Sequence, residues 1–270
     1  MNFKTLNATF VRNFTIQLRA YPKDFFIGNL LTAIYTSLSA FFMYNLLFKG
    51  SLKSSFQQYS GTDDYISFVI VGTAVYVYVV RTCLNVSRSL ITELRTGTLE
   101  SIMLAPFHRI QYFAGNMLQQ IITTSFEIIV AILVSIPFGL RFPHFNPGSF
   151  AVAFIISLFS FFSLSMVLAC IMLYFRDTYI SQNTLFLALF LLCGITYPIG
   201  YLPLPIREIS NLIPITGAVT LIRDSALQGL GIREQIGTMA YTALLSAAYC
   251  FAGFKLIKRI ERIALEKIQS

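Results

Sequence analysis

Long uninterrupted apolar runs dominate this chain. Six stand out, at 25–48, 65–86, 111–136, 149–174, 180–197 and 236–256. A helix needs roughly 20 mostly apolar residues to cross a hydrocarbon core about 30 Å thick. A membrane β-barrel would instead show alternating segments of about 10 residues. The runs are continuous, so the expected fold class is an all-α integral membrane protein with six transmembrane helices. Ahead of the first run, MNFKTLNATFVRNFTIQLRAYPK lacks both an apolar signal core and a small-residue cleavage site, and does not read as a cleaved signal. Phe3, Leu6, Phe10 and Phe14 recur at helical spacing. That suits an amphipathic helix over 1–24, lying in the membrane interface or packed on a partner.

Composition agrees with lipid as the solvent. The chain is 56% hydrophobic and 12% charged, about half the charge of a soluble domain, and its mean hydropathy is +0.68. One membrane domain over 25–256 is expected. With the N-terminus inside, 13 Lys and Arg fall on inner segments and 6 on outer ones. By the positive-inside rule both termini are then cytoplasmic. Arg81 lies in the second run near its inner end, where it can snorkel. The net charge of +8 becomes a feature of the cytoplasmic leaflet and does not point to nucleic acid. Cys83, Cys170, Cys193 and Cys250 form no CxxC pair, and His108 and His144 stand far apart. No metal site or disulfide framework is expected.

Three features break the apolar pattern. The first is TELRTGTLESIMLAP, Thr92 to Pro106, between the second and third runs. Over 88–106, Ile91, Leu94, Thr98, Ile102 and Ala105 can form one helical stripe, while Glu93, Arg95, Glu100 and Arg109 stay wet. Gly97 permits a bend, and Pro106 breaks the helix or starts the next one. Such a segment can lie on the membrane, fill the groove of a partner protein, or be a capped surface loop. The second is Pro198 to Gly231, where Pro198, Pro203, Pro205 and Pro214 interrupt apolar sequence. Broken helices at membrane depth survive when buried in protein or lining a cavity, which predicts two short helices dipping in from the outer face over 198–231. Arg207 with Glu208, and Arg223 with Asp224, are oppositely charged neighbours; they either sit in the outer headgroups or belong to the pathway. The third is Glu127, inside the third run. A carboxylate there is costly and faces a bundle interior or water. It sits roughly 24 Å above the inner end of its span, at a different depth from Arg81, so the two are not expected to pair. Glu127 can bond to Thr123 or Thr124, contact substrate, or be protonated. Beyond the last run, 257–270 reads as a basic cytoplasmic tail.

Glu93, Gly97, Thr98, Leu99, Glu100, Ile102 and Pro106, in the pattern E-x-x-x-G-T-L-E-x-[I/L]-x-x-x-P, resemble the cytoplasmic loop of type-2 ABC exporter permeases, with the Gly-Thr-Leu-Glu variant similar to the drug-export branch. YPIGYLPLPIREISNLIPITGAVTLIRDSALQG, Tyr197 to Gly229, resembles the segment after the fifth span of that family. The resemblance covers nearly the whole chain. It implies that the loop after the second span is a coupling helix seated in a cleft of a separate ABC ATPase subunit. It implies that Pro198–Gly231 is an external re-entrant hairpin capping the pathway. Glu127, Pro198, Pro203, Pro214 and Arg223 are then candidates for pathway or gate. No G-x-x-x-x-G-K-[ST] occurs in the chain, so ATP and Mg would be held by the partner. Two permease subunits, alike or different, and two ATPases would form an exporter in the cytoplasmic membrane.

The cargo expected on this reading is hydrophobic or amphipathic: a drug, antibiotic, peptide or lipid-like molecule. The 26 Phe and 14 Tyr leave polysaccharide or lipid-linked glycan as the alternative. An ATP-independent channel is a further one. A membrane-embedded enzyme would need Asp, Glu or His clustered near one membrane face, and the sequence offers no such cluster.

Overall fold

The computed structural model describes residues 4–20, 22–49, 54–98, 109–175 and 179–269. The described residues contain no strand. Among the described residues ten α-helices follow in order: α1 Lys4–Ala20, α2 Pro22–Phe42, α3 Ser54–Ser60, α4 Tyr65–Arg95, α5 Arg109–Ser135, α6 Pro147–Phe175, α7 Tyr179–Leu192, α8 Leu204–Asn211, α9 Pro214–Arg223 and α10 Ile232–Gln269. A π-helical turn extends α2 over Met43–Leu47 and another extends α9 over Asp224–Gln228.

Four stretches among the described residues are long and apolar enough to cross a bilayer: Phe56–Ser89, Gln111–Phe138, Pro147–Phe175 and Ile232–Ile257. They correspond to the second, third, fourth and sixth runs. The first run appears as α2, 21 residues long, with Leu31, Tyr35 and Leu46 exposed on its outside. The fifth is shorter than its apolar run suggested. α7 holds 14 residues, fewer than the roughly 20 a spanning helix needs, because the chain turns at Gly194 and breaks before Pro198. Past the sixth run α10 continues as one helix to Gln269.

Side-chain chemistry fixes several ends. Asp64 caps α4 by accepting from the Ser67 amide at 3.1 Å and the Ser67 hydroxyl at 2.5 Å. Asn146 accepts from the Ser149 amide at 3.2 Å ahead of Pro147, the first residue of α6. Glu234 reaches back to the Gly231 amide at 2.7 Å and starts α10.

The core sits around α6, which packs along α10, α4 and α9. α6 buries Ser149, Ser157, Ser160, Ser163 and Ser165. These hydroxyls bond their own helix backbone or a neighbour, as Ser160 does with Ser246 of α10 at 2.8 Å. Small side chains of this kind let spanning helices approach closely without an aqueous hydrophobic effect to drive them together. α2, α4 and α5 form a second group, with α1 laid across α5.

Candidate functional site

The loop after the second run begins differently from the expectation. A separate helix over 88–106 would put Ile91, Leu94, Thr98, Ile102 and Ala105 on one stripe. Instead residues 88–95 are the last two turns of α4, which is 31 residues long. The helix stops because Gly97 takes a left-handed φ of 71°, and the Thr98 amide then bonds back to the Glu93 carbonyl at 3.0 Å. This is a glycine-terminated helix end. Leu99, Glu100, Ile102 and Pro106 lie outside the described residues. Gly97 and Thr98 are exposed.

Glu93 is not wet. It is buried, and its carboxylate gathers three donors. Arg12 of α1 reaches it at 2.6 Å, the Tyr112 hydroxyl of α5 at 3.1 Å, and the Thr98 hydroxyl closes on its other oxygen. Burial alone would raise this carboxyl. The bonds from Thr98, Arg12 and Tyr112 together more than offset it and hold the group below its ordinary value of 4.5. One side chain therefore ties α1, the end of α4, the start of α5 and the turn at Gly97. Asn13 adds a second tie, donating to Asn116 of α5 at 2.6 Å.

From Glu93 a polar seam runs up between α4 and α5. Asn85 donates to Gln119 and Gln120, each at 2.7 Å, and Gln120 donates to Thr124 at 2.9 Å. The seam ends at Glu127, which is buried and pairs with Arg81 at 3.2 Å. This overturns the expectation that the two stand too far apart in depth. That reasoning ended the second span near residue 86, whereas the helix continues to Arg95. Arg81 is then about 21 Å from its helix end and Glu127 about 27 Å from the start of α5. A long arginine side chain closes the difference. A cavity of about 580 Å³ opens along this seam, with Arg12, Arg81, Arg88, Asn85, Asn116 and Glu127 among its lining residues.

The other end of α4 meets the proline-rich segment. Two short helices form there, α8 and α9. Pro203 precedes α8 and Pro214 is the first residue of α9, positions where a missing N–H costs nothing. Pro198 and Pro214 are buried and Pro203 is exposed. Arg223 does not sit among headgroups beside Asp224. It is buried and donates to the Gly194 carbonyl at 2.6 Å, to the Phe68 carbonyl at 3.2 Å and to the Ile195 carbonyl. Its guanidinium carbon lies 3.6 Å from the centroid of the Phe68 ring, within cation–π range. Arg223 thus fastens α9 to the turn after α7 and to the first turn of α4. Between these two ends lies an apolar cavity of about 450 Å³, lined by Tyr78, Ile128, Ile132, Phe150, Phe154 and Ile222 among others.

Glu93, Glu127 and Arg223 were visible in the sequence as charges beside or within apolar runs. Arg12, Asn85, Asn116 and Gln120 were missed. The signal was present: Tyr112, Asn116, Gln120, Thr123 and Glu127 recur every three or four residues in the third run, and Arg81, Asn85, Arg88 and Thr92 do so from the second run onward. Two polar stripes of helical period face each other across otherwise apolar helices.

The family model for the ABC-2 type transporter matches residues 9–227. No curated protein matches the chain.

Proposed function

The chain belongs to the ABC-2 type transporter family, and from that premise we propose that it is the permease subunit of an ATP-driven exporter in which the end of α4 receives the stroke of a separate ATPase. It is a multi-pass protein of the cell membrane, carried there by its apolar helices. Six spans are proposed, with α2 and the short α7 added to the four long apolar stretches. Both termini and the turn at Gly97 lie in the cytoplasm, and α8–α9 form a hairpin entering from the outer face. Two permeases and two ATPases make the exporter, with ATP and Mg on the ATPases. The cargo is hydrophobic or amphipathic.

The observation that carries this reading is the Glu93 network. A free surface loop has no need of a buried carboxylate holding two helices and a turn at once. A loop that receives force does, because the force must reach the spans and not be lost in local bending. Residues from Thr98 to Pro106 are the contact segment, and Glu93 is the anchor behind it. Glu93 therefore does not pair with the ATPase; that role falls to Leu99, Glu100 and Ile102.

The test is co-purification from native membrane with ATPase activity measured on the complex. Glu100→Arg is expected to release the ATPase subunit. Glu93→Gln is expected to retain it while uncoupling hydrolysis from transport. If no ATPase accompanies the wild-type chain, or if transport persists without one, the channel reading replaces this one.

A further inference from the structure

The apolar cavity between α4, α5 and α6 has no part in the coupling network. Its lining holds two polar side chains, Tyr78 and Ser125. Tyr78 donates to the Ile121 carbonyl at 2.9 Å, and the Ser125 hydroxyl lies 2.9 Å from that of Tyr78. Both are satisfied within the protein. A sugar, a phosphate or a water would find no free partner there for the bonds it gives up. The chemistry this cavity fits is hydrocarbon.

Its shape is a slot. The rings of Phe142, Phe145, Phe150, Phe154, Tyr78 and Phe161 follow one another with centroids 5.2–6.3 Å apart, and all six line it. One end of the row is open and the other closed. Phe145 is 47% exposed and Phe142 38%, whereas Tyr78 is 3% exposed and Phe161 is fully buried. Ile129 of α5, also in the lining, is 56% exposed. α5 and α6 each pack along α4 but not extensively on one another, so the mouth opens sideways between them.

Depth and volume narrow the occupant. From Phe150 to Phe161 the slot follows α6 for about 16 Å, in the half of that helix that begins beside Ser225. One leaflet of a hydrocarbon core about 30 Å thick is about as deep. Above the slot, Leu140, Phe142 and Phe145 belong to the lining, while Arg141 and His144 among them are exposed and do not. That is the pattern of a loop at the boundary of lipid and water. A partner helix of the same length and about 10 Å diameter would fill roughly 1,200 Å³. The slot offers about 450 Å³, which suits a single flexible chain.

We propose that this slot binds one acyl chain of a membrane phospholipid, drawn from the leaflet on the side of α8–α9 and laid along the six rings. The chain wedges α5 and α6 where they do not pack on each other. Ile222 of α9 and Ala226 of its π-helical extension line the same slot, so the chain also backs the helix that Arg223 fastens. The head group stays outside, at the level of Arg141 and His144. The inference rests on the exporter reading for one point: that this leaflet is the outer one.

The test uses the full-length permease in lipid vesicles without ATPase. The probe is phosphatidylcholine with a photoactivatable diazirine at the end of one acyl chain. Peptides over 140–161 should be labelled more strongly than those around Leu244 and Phe251 of α10, which are 72% and 62% exposed and report lipid that merely coats a helix. Ala74→Phe fills the slot from α4, and Ile129→Trp narrows its mouth. Each should cut labelling over 140–161 by about five-fold or more, since an overfilled cavity has no room for a chain, and leave α10 labelling unchanged. Labelling no stronger than on α10, or unchanged in both variants, overturns the proposal. If Ala74→Phe does not fold, Ile129→Trp, at an exposed position, decides alone. A disulfide between copies in Ile129→Cys, with weak labelling over 140–161 in the wild type, would give the mouth to a second copy of the chain and overturn it too. Delivering the probe to one leaflet at a time separates the site from its orientation. Labelling from the outer leaflet supports both. Labelling from the inner leaflet, with the same response to the variants, supports the site and counts against the orientation taken from the exporter reading.

Discussion

Replacing Arg223 by methionine tests the lock between α9, α7 and α4. Methionine fills similar volume and carries no donor. The buried carbonyls of Gly194 and Ile195 then lose their partner, at about 1–3 kcal/mol each. The ring contact with Phe68 goes too, worth about 2 kcal/mol when desolvated. Against this stands the relief of no longer burying a cation, of the order of several kcal/mol. The net is a destabilisation of about 3 kcal/mol, or a Tm lower by about 6–12 °C for a chain of this size. A thiol-reactive dye reads it with the protein's own cysteines, since Cys83, Cys170 and Cys193 are buried and free. Cys193 neighbours the carbonyls that Arg223 holds, so its reactivity should rise first. Arg223→Lys should recover about half, because an ammonium lacks the fork that spans separate carbonyls. A methionine variant that melts within roughly 2 °C of wild type would refute the reasoning and return Arg223 to the role of a passive buried side chain.

Two further predictions come from the same helix. Glu93 has its carboxyl below the ordinary value of 4.5, so its contribution is complete above that value and is lost as the pH falls through the lower folded one. Cross-linking of α1 to the end of α4 should be constant from neutral pH to about 5 and weaken only in stronger acid, whereas Glu93→Gln should be weak throughout. Gly72→Ala should resemble the Arg223 variant in thermal stability. A methyl group there would collide with the Arg223 guanidinium and the Ile195 carbonyl, and the double variant should be no worse than the poorer single one, as coupled sites are.

How much of this was legible follows from what each signal depends on. Four long apolar helices were readable because hydrocarbon thickness imposes a length that an apolar run records directly. The helices after Pro198 were readable because proline positions constrain the backbone locally. The partners were not. Glu93 looked wet because its neighbours in sequence are polar, but its donors come from Arg12 and Tyr112, 81 and 19 residues away. Arg81 and Glu127 were separated by measuring depth from the end of an apolar run, while the helix itself persists nine residues further. Hydrophobicity marks where lipid stops; hydrogen bonding decides where the helix stops, and here only Gly97 marked that point. Arg223 beside Asp224 read as a neighbour pair because sequence shows adjacency, not the direction in which a side chain points.

α4 carries one attachment at each end: Arg223 grips Phe68 in its first turn, and Glu93 is gripped in its last. The two points lie about 38 Å apart along the axis, with no proline between them. Such a rod behaves as a lever. A tilt of about 5° about one end sweeps the other through ~3 Å, which is the size of a hydrogen bond's reach. A sideways push at the turn at Gly97 therefore pivots α4 about its attachment to Arg223, and a push along the axis arrives at α9 as translation with little lost to flexing on the way.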